Sequence, residues 1–126
     1  MKRILKFWLP VIIWMGVIFI FSAIPNLNSG LKEDYILRKI AHALEYAILT
    51  FLLFRAISAQ GILLRKAIIY SLIIAVFYAF SDEYHQSFIF GRQCSLRDAG
   101  IDSIGILIGE LVCYIRSRKG RKNTQD

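Results

Sequence analysis

The sequence contains few cysteines, and the two that it has lie far apart. Cys94 and Cys113 are the only ones among 126 residues. A helix between them would separate them by roughly 25 Å or more at 1.5 Å per residue, which is beyond the reach of a disulfide bond. The sequence therefore predicts no intramolecular disulfide.

Charged residues are absent from a long stretch near the N-terminus. No ionisable side chain occurs from residue 7 to residue 31, and 56% of the whole chain is hydrophobic, with a mean hydropathy of +0.52. This is too much apolar surface for a soluble fold of this length to bury. The composition therefore excludes the water-soluble globular class and indicates an integral membrane protein.

Four apolar segments are long enough to cross the hydrocarbon core of a bilayer as helices. They cover residues 7–31, 36–54, 64–81 and 96–115. No repeat, low-complexity tract or long linker separates them, and the connections are too short for a folded soluble domain. The sequence predicts an all-α bundle of four transmembrane helices in one domain, residues 1–119, and a short basic and polar tail, residues 120–126.

The basic residues predict how this bundle is oriented, because short loops rich in Lys and Arg stay on the cytoplasmic side. Lys and Arg outnumber Asp and Glu by 16 to 9. Most of them flank the N-terminus, the connection between the second and third spans, and the C-terminus, so both termini are predicted to be cytoplasmic. Topology and attraction to anionic lipid account for the positive charge, and no nucleic-acid partner is predicted. The residues concerned are Lys2, Arg3, Lys6, Arg55, Arg65, Lys66, Arg116, Arg118, Lys119, Arg121 and Lys122.

Polar residues that are costly inside a membrane occur in three groups, and the predicted topology brings all three to the outer face. The first group begins the second span, where its members share one helical face. The second group ends the third span, and the last begins the fourth. Charged groups at membrane depth usually face the bundle interior and mark a functional site. The three groups are Lys39, His42, Glu45 and Tyr46; Asp82, Glu83 and Gln86; and Arg92, Asp98 and Asp102.

Two kinds of chemistry fit these side chains well. Lys39 and Arg92 fit a clamp for a phosphate or pyrophosphate, as in an anionic lipid head group. His42 with Glu83 fits general acid–base catalysis, because imidazole titrates near neutral pH. A metal site is not predicted, because no HExxH or similar close ligand spacing occurs. No cofactor is predicted either.

A purely structural interpretation of the same residues is also open. In that interpretation Lys39 extends to the interface, Asp82 and Glu83 end the third span there, and Arg92 neutralises them. It does not explain why acids, bases and imidazoles would meet at one place in the membrane.

The fourth span carries further polar and small residues. Gly105 and Gly109 are expected to let another helix approach closely. Glu110, in the inner half of the span, is expected to reach toward a cytoplasmic arginine, with a proton relay as the alternative. The arginines considered are Arg55, Arg65 and Arg116.

Taken in order, the polar residues resemble the VanZ-like family of small bacterial membrane proteins, over roughly residues 15–110. The matching pieces are FS and then Pro25 after the first span, the start of the second span, DEYHQSF at 82–88 and GRQCSLRDAGIDSIG at 91–105. Asp102 stands where the family is expected to have Asn. The family positions that the resemblance implies are Lys39, His42, Tyr46, Asp82, Glu83, Gln86, Arg92, Asp98 and Gly105.

The resemblance implies a multi-pass protein of the bacterial cytoplasmic membrane and a place in the cell envelope. The family is named for a member associated with resistance to the glycopeptide teicoplanin, so a contribution to that resistance is expected by analogy. The leading hypothesis is an outward-facing polar pocket that engages an envelope lipid head group, a lipid-linked cell-wall precursor or a lipoglycopeptide. The oligomeric state is left open, with an oligomer as one option.

Two alternatives use the same residues differently. In the first, the protein is a hydrolase or transferase for a phospholipid or polyprenyl phosphate, with His42 and Glu83 transferring protons. In the second, it is a small ion or solute transporter that uses Glu45, Asp98 and Asp102 as a cation pathway.

Overall fold

The computed structural model describes residues 1–23, 32–88 and 96–123, and these residues form helices and short turns without a strand. Helix α1 covers Lys2–Ala23, α2 covers Lys32–Ser58, α3 covers Leu64–Gln86 and α4 covers Leu96–Asn123. A short turn joins α2 to α3, and Gly61 in this turn has a φ of 78°, a backbone conformation that favours glycine. The predicted all-α architecture of four helices is confirmed.

Three of the four predicted membrane spans are confirmed by length and composition. Lys2–Ala23, Ile36–Ser58 and Leu64–Gln86 are helices apolar enough to cross a membrane. Helix α4 forms where the fourth span was predicted, but it is not among these candidates. The reason is that its apolar stretch is interrupted by Asp98, Asp102 and Glu110. It also continues without a break through the predicted domain boundary at residue 119 to Asn123.

Helix α2 is the centre of the bundle. It packs against all three other helices, and most extensively against α4. Helix α3 also contacts every other helix, whereas α1 and α4 share no contact within the described residues. The bundle is therefore an open arrangement in which α1 and α4 flank a central α2–α3 pair.

Two glycines allow the close contact between α2 and α4. A Cβ atom at Gly105 would collide with the backbone of Ala43, and one at Gly109 would lie 2.7 Å from the carbonyl oxygen of Ala47. Gly105 and Gly109 are one helical turn apart, so they form a smooth strip against which the α2 backbone lies. The expected helix-packing role of this glycine pair is confirmed.

The two ends of the bundle differ in polarity. At the basic end lie the exposed residues Arg55, Arg65 and Lys66, together with the start of α1 and the last turns of α4. At the opposite end, which we call the polar end, α1 and α3 finish and α2 and α4 begin. Between the ends, the core contains Ile18, Leu49, Leu53 and Ile106 among its buried side chains.

Candidate functional site

The polar end is built first from two side-chain pairs between α2 and α4. Lys39 on α2 forms an ion pair with Asp98 on α4. About one helical turn farther into the bundle, His42 Nδ1 lies 3.3 Å from Asp102 Oδ1. The two bases are three residues apart and the two acids are four apart, so each pair faces its partner across the contact between the helices. Two groups that are distant in the sequence are thereby joined.

Asp82 connects α3 to this arrangement. Its Oδ2 atom accepts hydrogen bonds from the hydroxyl of Ser22 at 2.8 Å, the hydroxyl of Tyr46 at 3.1 Å and the amide of Gln86 at 3.2 Å. These donors belong to α1, α2 and α3 respectively. Three donors on one carboxylate oxygen stabilise the ionised form, because a carboxylate only accepts.

Aromatic contacts join the charged pairs to Asp82. The rings of His42 and Tyr46 lie with their centroids 6.1 Å apart at an interplanar angle of 25°. Since Tyr46 donates to Asp82 and His42 contacts Asp102, one continuous set of contacts runs from α4 through α2 to α3. We call Lys39, His42, Tyr46, Asp82, Asp98, Asp102, Gln86 and Ser22 the polar cluster.

The polar cluster has an exposed rim and a buried floor. The side chains of Lys39 and Asp98 are each 21% exposed, and that of His42 is 19% exposed. Below them Asp82 is 3% exposed and Asp102 is 2% exposed. His42 therefore links the accessible rim to the buried carboxylates.

Two buried oxygen atoms in the floor have no hydrogen-bond partner among residues 1–23, 32–88 and 96–123. They are Asp82 Oδ1 and Asp102 Oδ2. Leaving a charged acceptor unsatisfied in the interior of a protein costs free energy, so such atoms are rare in structural ion pairs. Nearby on α3, His85 stacks on Phe19 with a centroid distance of 4.3 Å, and its buried Nε2 atom also has no partner among the residues that the structure describes.

The remaining predicted site residues are Glu83, Glu45 and Arg92. Glu83 is buried on α3 beside Asp82, and Glu45 is partly buried on α2, where its backbone carbonyl accepts a hydrogen bond from Trp14 at 2.9 Å. The carboxylate next to His42 is that of Asp102. The role of Glu83 as a proton-transfer group together with His42 stays a prediction. Arg92 lies outside the described residues, as does Cys94.

Ser22 is a member of the cluster that was not predicted as a site residue. Its hydroxyl is fully buried and donates to Asp82 across 60 positions of sequence. It stands near the end of α1, after a stretch without charged residues that begins at Phe7, and it is the Ser of the FS pair that matched the family pattern. That match was the only sequence signal for its role.

Within the described residues Glu110 forms no ion pair with an arginine, so the structure does not show the contact that the sequence predicts. Its carboxyl group is hydrogen-bonded to Ser71 on α3, in the half of the bundle nearer the basic end. Ile106 lies between Asp102 and Glu110 on the same face of α4 and is fully buried. An apolar side chain thus separates Glu110 from the polar cluster along α4.

The described residues offer little for a metal ion. No group of three or more His, Cys, Asp or Glu side chains is arranged to hold one within residues 1–23, 32–88 and 96–123. The free Cys113 is buried near Glu110 and has no second thiol beside it in those ranges.

The sequence matches the family model described as VanZ/LLP1 over residues 7–117. The matched range contains every member of the polar cluster as well as Arg92 and Glu110. No curated protein and no solved structure matches the chain.

Proposed function

The chain belongs to the VanZ/LLP1 family, and on that premise we propose that its polar cluster binds the head group of an envelope lipid. A lipid-linked cell-wall precursor and an acylated glycopeptide such as teicoplanin belong to the same class of ligand, because each combines an apolar tail with a polar head. The tail would lie along the apolar outer surface of the bundle and the head at the polar end.

One observation carries this proposal. Five ionisable side chains from three helices converge at one end of the bundle, and two of their buried oxygen atoms lack a partner within the part of the chain that the structure describes. Structural pairing alone would favour a set that is fully satisfied, because half-satisfied buried networks are costly. The five residues are Lys39, His42, Asp82, Asp98 and Asp102.

The charges favour a head group that carries hydrogen-bond donors. Asp98 already compensates Lys39, and the unsatisfied atoms Asp82 Oδ1 and Asp102 Oδ2 are both acceptors. Hydroxyl, amine and amide groups, as in sugars and peptides, fit such acceptors. We propose that Arg92 would bind a phosphate group of the same ligand.

The outer surface of α4 supports its role as a fourth membrane span. Its acidic residues Asp102 and Glu110 are buried against α2 and α3, whereas Ile104, Leu107 and Leu111 are more than half exposed. A helix with apolar side chains outside and polar ones inside suits a lipid environment even when its average hydropathy is low. We propose four spans, with the polar end outside the cytoplasmic membrane and both termini in the cytoplasm.

Cysteine labelling in intact cells tests this topology. In a background with Cys94 and Cys113 replaced by Ser, Ser87→Cys places a thiol at the polar end and Gln60→Cys places one at the basic end. Both positions are exposed. A membrane-impermeant maleimide should label the first in intact cells and the second only after permeabilisation. The reverse pattern would overturn the outward placement of the polar cluster.

Ligand binding is tested on the purified protein in detergent. Teicoplanin, undecaprenyl pyrophosphate and phosphatidylglycerol serve as separate probes, and thermal stabilisation is the readout. Stabilisation by at least one probe should be lost in His42→Ala and kept in Leu44→Ala, an exposed residue of the same helix. Absence of stabilisation by all three probes would overturn the proposal.

Teicoplanin susceptibility provides the cellular counterpart. A sensitive Gram-positive host would express equal amounts of wild type, His42→Ala, Arg92→Ala and Leu44→Ala. The proposal expects protection by wild type and Leu44→Ala that is lost in the other two. No protection by abundant wild-type protein would remove the antibiotic from the set of ligands.

The His42–Asp102 pair favours one second candidate, a hydrolase or transferase. A carboxylate next to Nδ1 fixes the tautomer of an imidazole and leaves Nε2 to take up a proton. His42 sits at the rim, where a lipid phosphate would have access. Release of phosphate from undecaprenyl pyrophosphate by wild type, but not by His42→Ala, would favour this candidate over simple binding.

A further inference from the structure

Glu110 is a second buried acid that the polar cluster does not include. It is 7% exposed, and Asp102 lies two helical turns away, roughly 12 Å along α4 at 1.5 Å per residue. Within the described residues Glu110 has no ion pair, and its Oε2 atom has no hydrogen-bond partner. Its one polar contact is with the Ser71 hydroxyl group.

The Ser71 hydroxyl group lies close to three oxygen atoms. Ser71 Oγ lies 2.8 Å from the carbonyl oxygen of Ala67 and 3.0 Å from that of Ile68, and it is also hydrogen-bonded to Glu110 Oε1. A serine hydroxyl has a single proton and two lone pairs. If Glu110 were ionised, three acceptors would share that one proton.

A carboxylic acid removes this shortage. When Glu110 carries a proton, its O–H donates to a lone pair of Ser71 Oγ, and the Ser71 proton remains with the carbonyl groups of its own helix, a common arrangement for serine in helices. The unpartnered Oε2 atom is then a neutral carbonyl oxygen, which is less costly to bury than a charged one. The three short contacts around Ser71 then share two protons instead of one, and only the two carbonyl groups of its own helix share the Ser71 proton.

Asp82 shows the opposite pattern in the same bundle. Its Oδ2 atom is surrounded by three groups that each bring their own proton, from Ser22, Tyr46 and Gln86. The two buried acids therefore have different surroundings. Asp82 is surrounded by hydrogen-bond donors, whereas Glu110 faces a serine hydroxyl whose single proton is already near two carbonyl groups.

The neighbours of Glu110 that the structure describes on α2 and along α4 include small, uncharged groups. Gly109, the preceding residue, packs against Ala47 and Thr50 on α2, and the Thr50 hydroxyl donates to the Tyr46 carbonyl group. Cys113 follows on the buried face of α4.

We propose that Glu110 is a protonation site inside the membrane, where the bundle holds one proton between α3 and α4 as a neutral carboxylic acid that donates to Ser71. The ligand of this site is a single proton. Because buried Ile106 separates it from the polar cluster, the site is independent of the proposed head-group binding.

Infrared difference spectroscopy on the protein in lipid tests this directly. Subtracting the spectrum of Glu110→Gln from that of wild type should reveal the carbonyl band of a protonated carboxyl group and no carboxylate bands. Ser71→Ala should shift that band to higher frequency, because the acid loses its acceptor. Ser81→Ala is the matched control, since the exposed Ser81 hydroxyl donates to the Phe77 carbonyl group of its own helix, and this substitution should leave the band unchanged.

Carboxylate bands in the difference spectrum would contradict the proposal. If Glu110→Gln removes carboxylate bands instead, Glu110 is ionised and the proposal is wrong. If Glu110→Gln cannot be purified, a band in wild type that Ser71→Ala shifts supports the proposal, and a spectrum without a protonated carboxyl band overturns it.

Discussion

The imidazole of His42 on α2 and the carboxylate of Asp102 on α4 lie 3.3 Å apart, 60 positions from each other in the sequence. Asp102 is almost completely buried, whereas His42 is partly exposed. Each side chain satisfies the other only if α2 and α4 keep their relative rotation and depth. The stability of this contact is therefore a measure of the α2–α4 packing on which the polar cluster depends.

The first prediction concerns this pair. Asp102→Ala should lower the free energy of unfolding by about 1–3 kcal/mol, because His42 Nδ1 loses its partner. Asp102→Asn should cost less, because an amide oxygen still accepts a hydrogen bond and because the family pattern is expected to have Asn at this position. Unfolding in a graded denaturing detergent measures both.

A double-mutant cycle with His42→Ala is the control for the first prediction. If the two residues act through each other, the double variant should be more stable than the sum of the single effects predicts. Additive effects would show that the 3.3 Å contact contributes nothing measurable.

The second prediction concerns the glycine strip between α2 and α4. Gly105→Ala should lower the free energy of unfolding by about 1–3 kcal/mol, because the new methyl group would collide with the Ala43 carbonyl group and push the helices apart. Gly100→Ala on the same helix is the matched control, since a Cβ atom there meets nothing within 4 Å. It should be neutral or stabilise by up to about 1 kcal/mol, because alanine favours helix more than glycine does. Equal stability of the two variants would contradict the close helix contact.

The third prediction concerns the donors around Asp82. Tyr46→Phe removes one of three hydrogen bonds to a buried carboxylate and should cost about 1.5–3 kcal/mol of unfolding free energy. Tyr84→Phe is the matched control, because Tyr84 lies two residues after Asp82 on α3 but is exposed. Among the described aromatic side chains, its ring contacts only that of Phe88. It should leave stability within about 0.5 kcal/mol of wild type. A Tyr46→Phe variant as stable as this control would show that its hydroxyl does not hold Asp82.

The fourth prediction compares the two buried acids. Glu110→Gln should change the free energy of unfolding by less than about 1 kcal/mol, because an amide N–H can replace the acid proton donated to Ser71. Asp82→Asn should cost about 1.5–3 kcal/mol, because three donors then face a neutral amide instead of an anion. Thermal unfolding in one detergent compares them. The reverse order of stability would contradict the assignment of charge to the two sites.

The sequence predicted three of the apolar spans well, and it also predicted which α2 residues of the polar cluster share one side of that helix. Apolar content is a property of each segment by itself, so α1, α2 and α3 could be recognised without tertiary information. Helical periodicity likewise placed Lys39, His42 and Tyr46 on one side of α2, where the structure has them.

The end of α3 was harder to predict. The apolar run stops at residue 81, yet the helix continues to Gln86. It continues because no Pro or Gly interrupts it and because Asp82 is hydrogen-bonded by residues of other helices. Local hydropathy contains no information about such partners.

By itself, the sequence determined that this chain forms apolar helices and that its polar residues gather near their ends, because both depend on composition and on the fixed helical repeat. Only the tertiary structure decided that Asp102 faces His42, that Ser22 joins Asp82, and that Glu110 meets Ser71. The physical reason is that these pairings depend on the rotation and depth of one helix relative to another. Gly105 and Gly109 allow the α2–α4 contact that sets them, and periodicity along a single helix does not specify it.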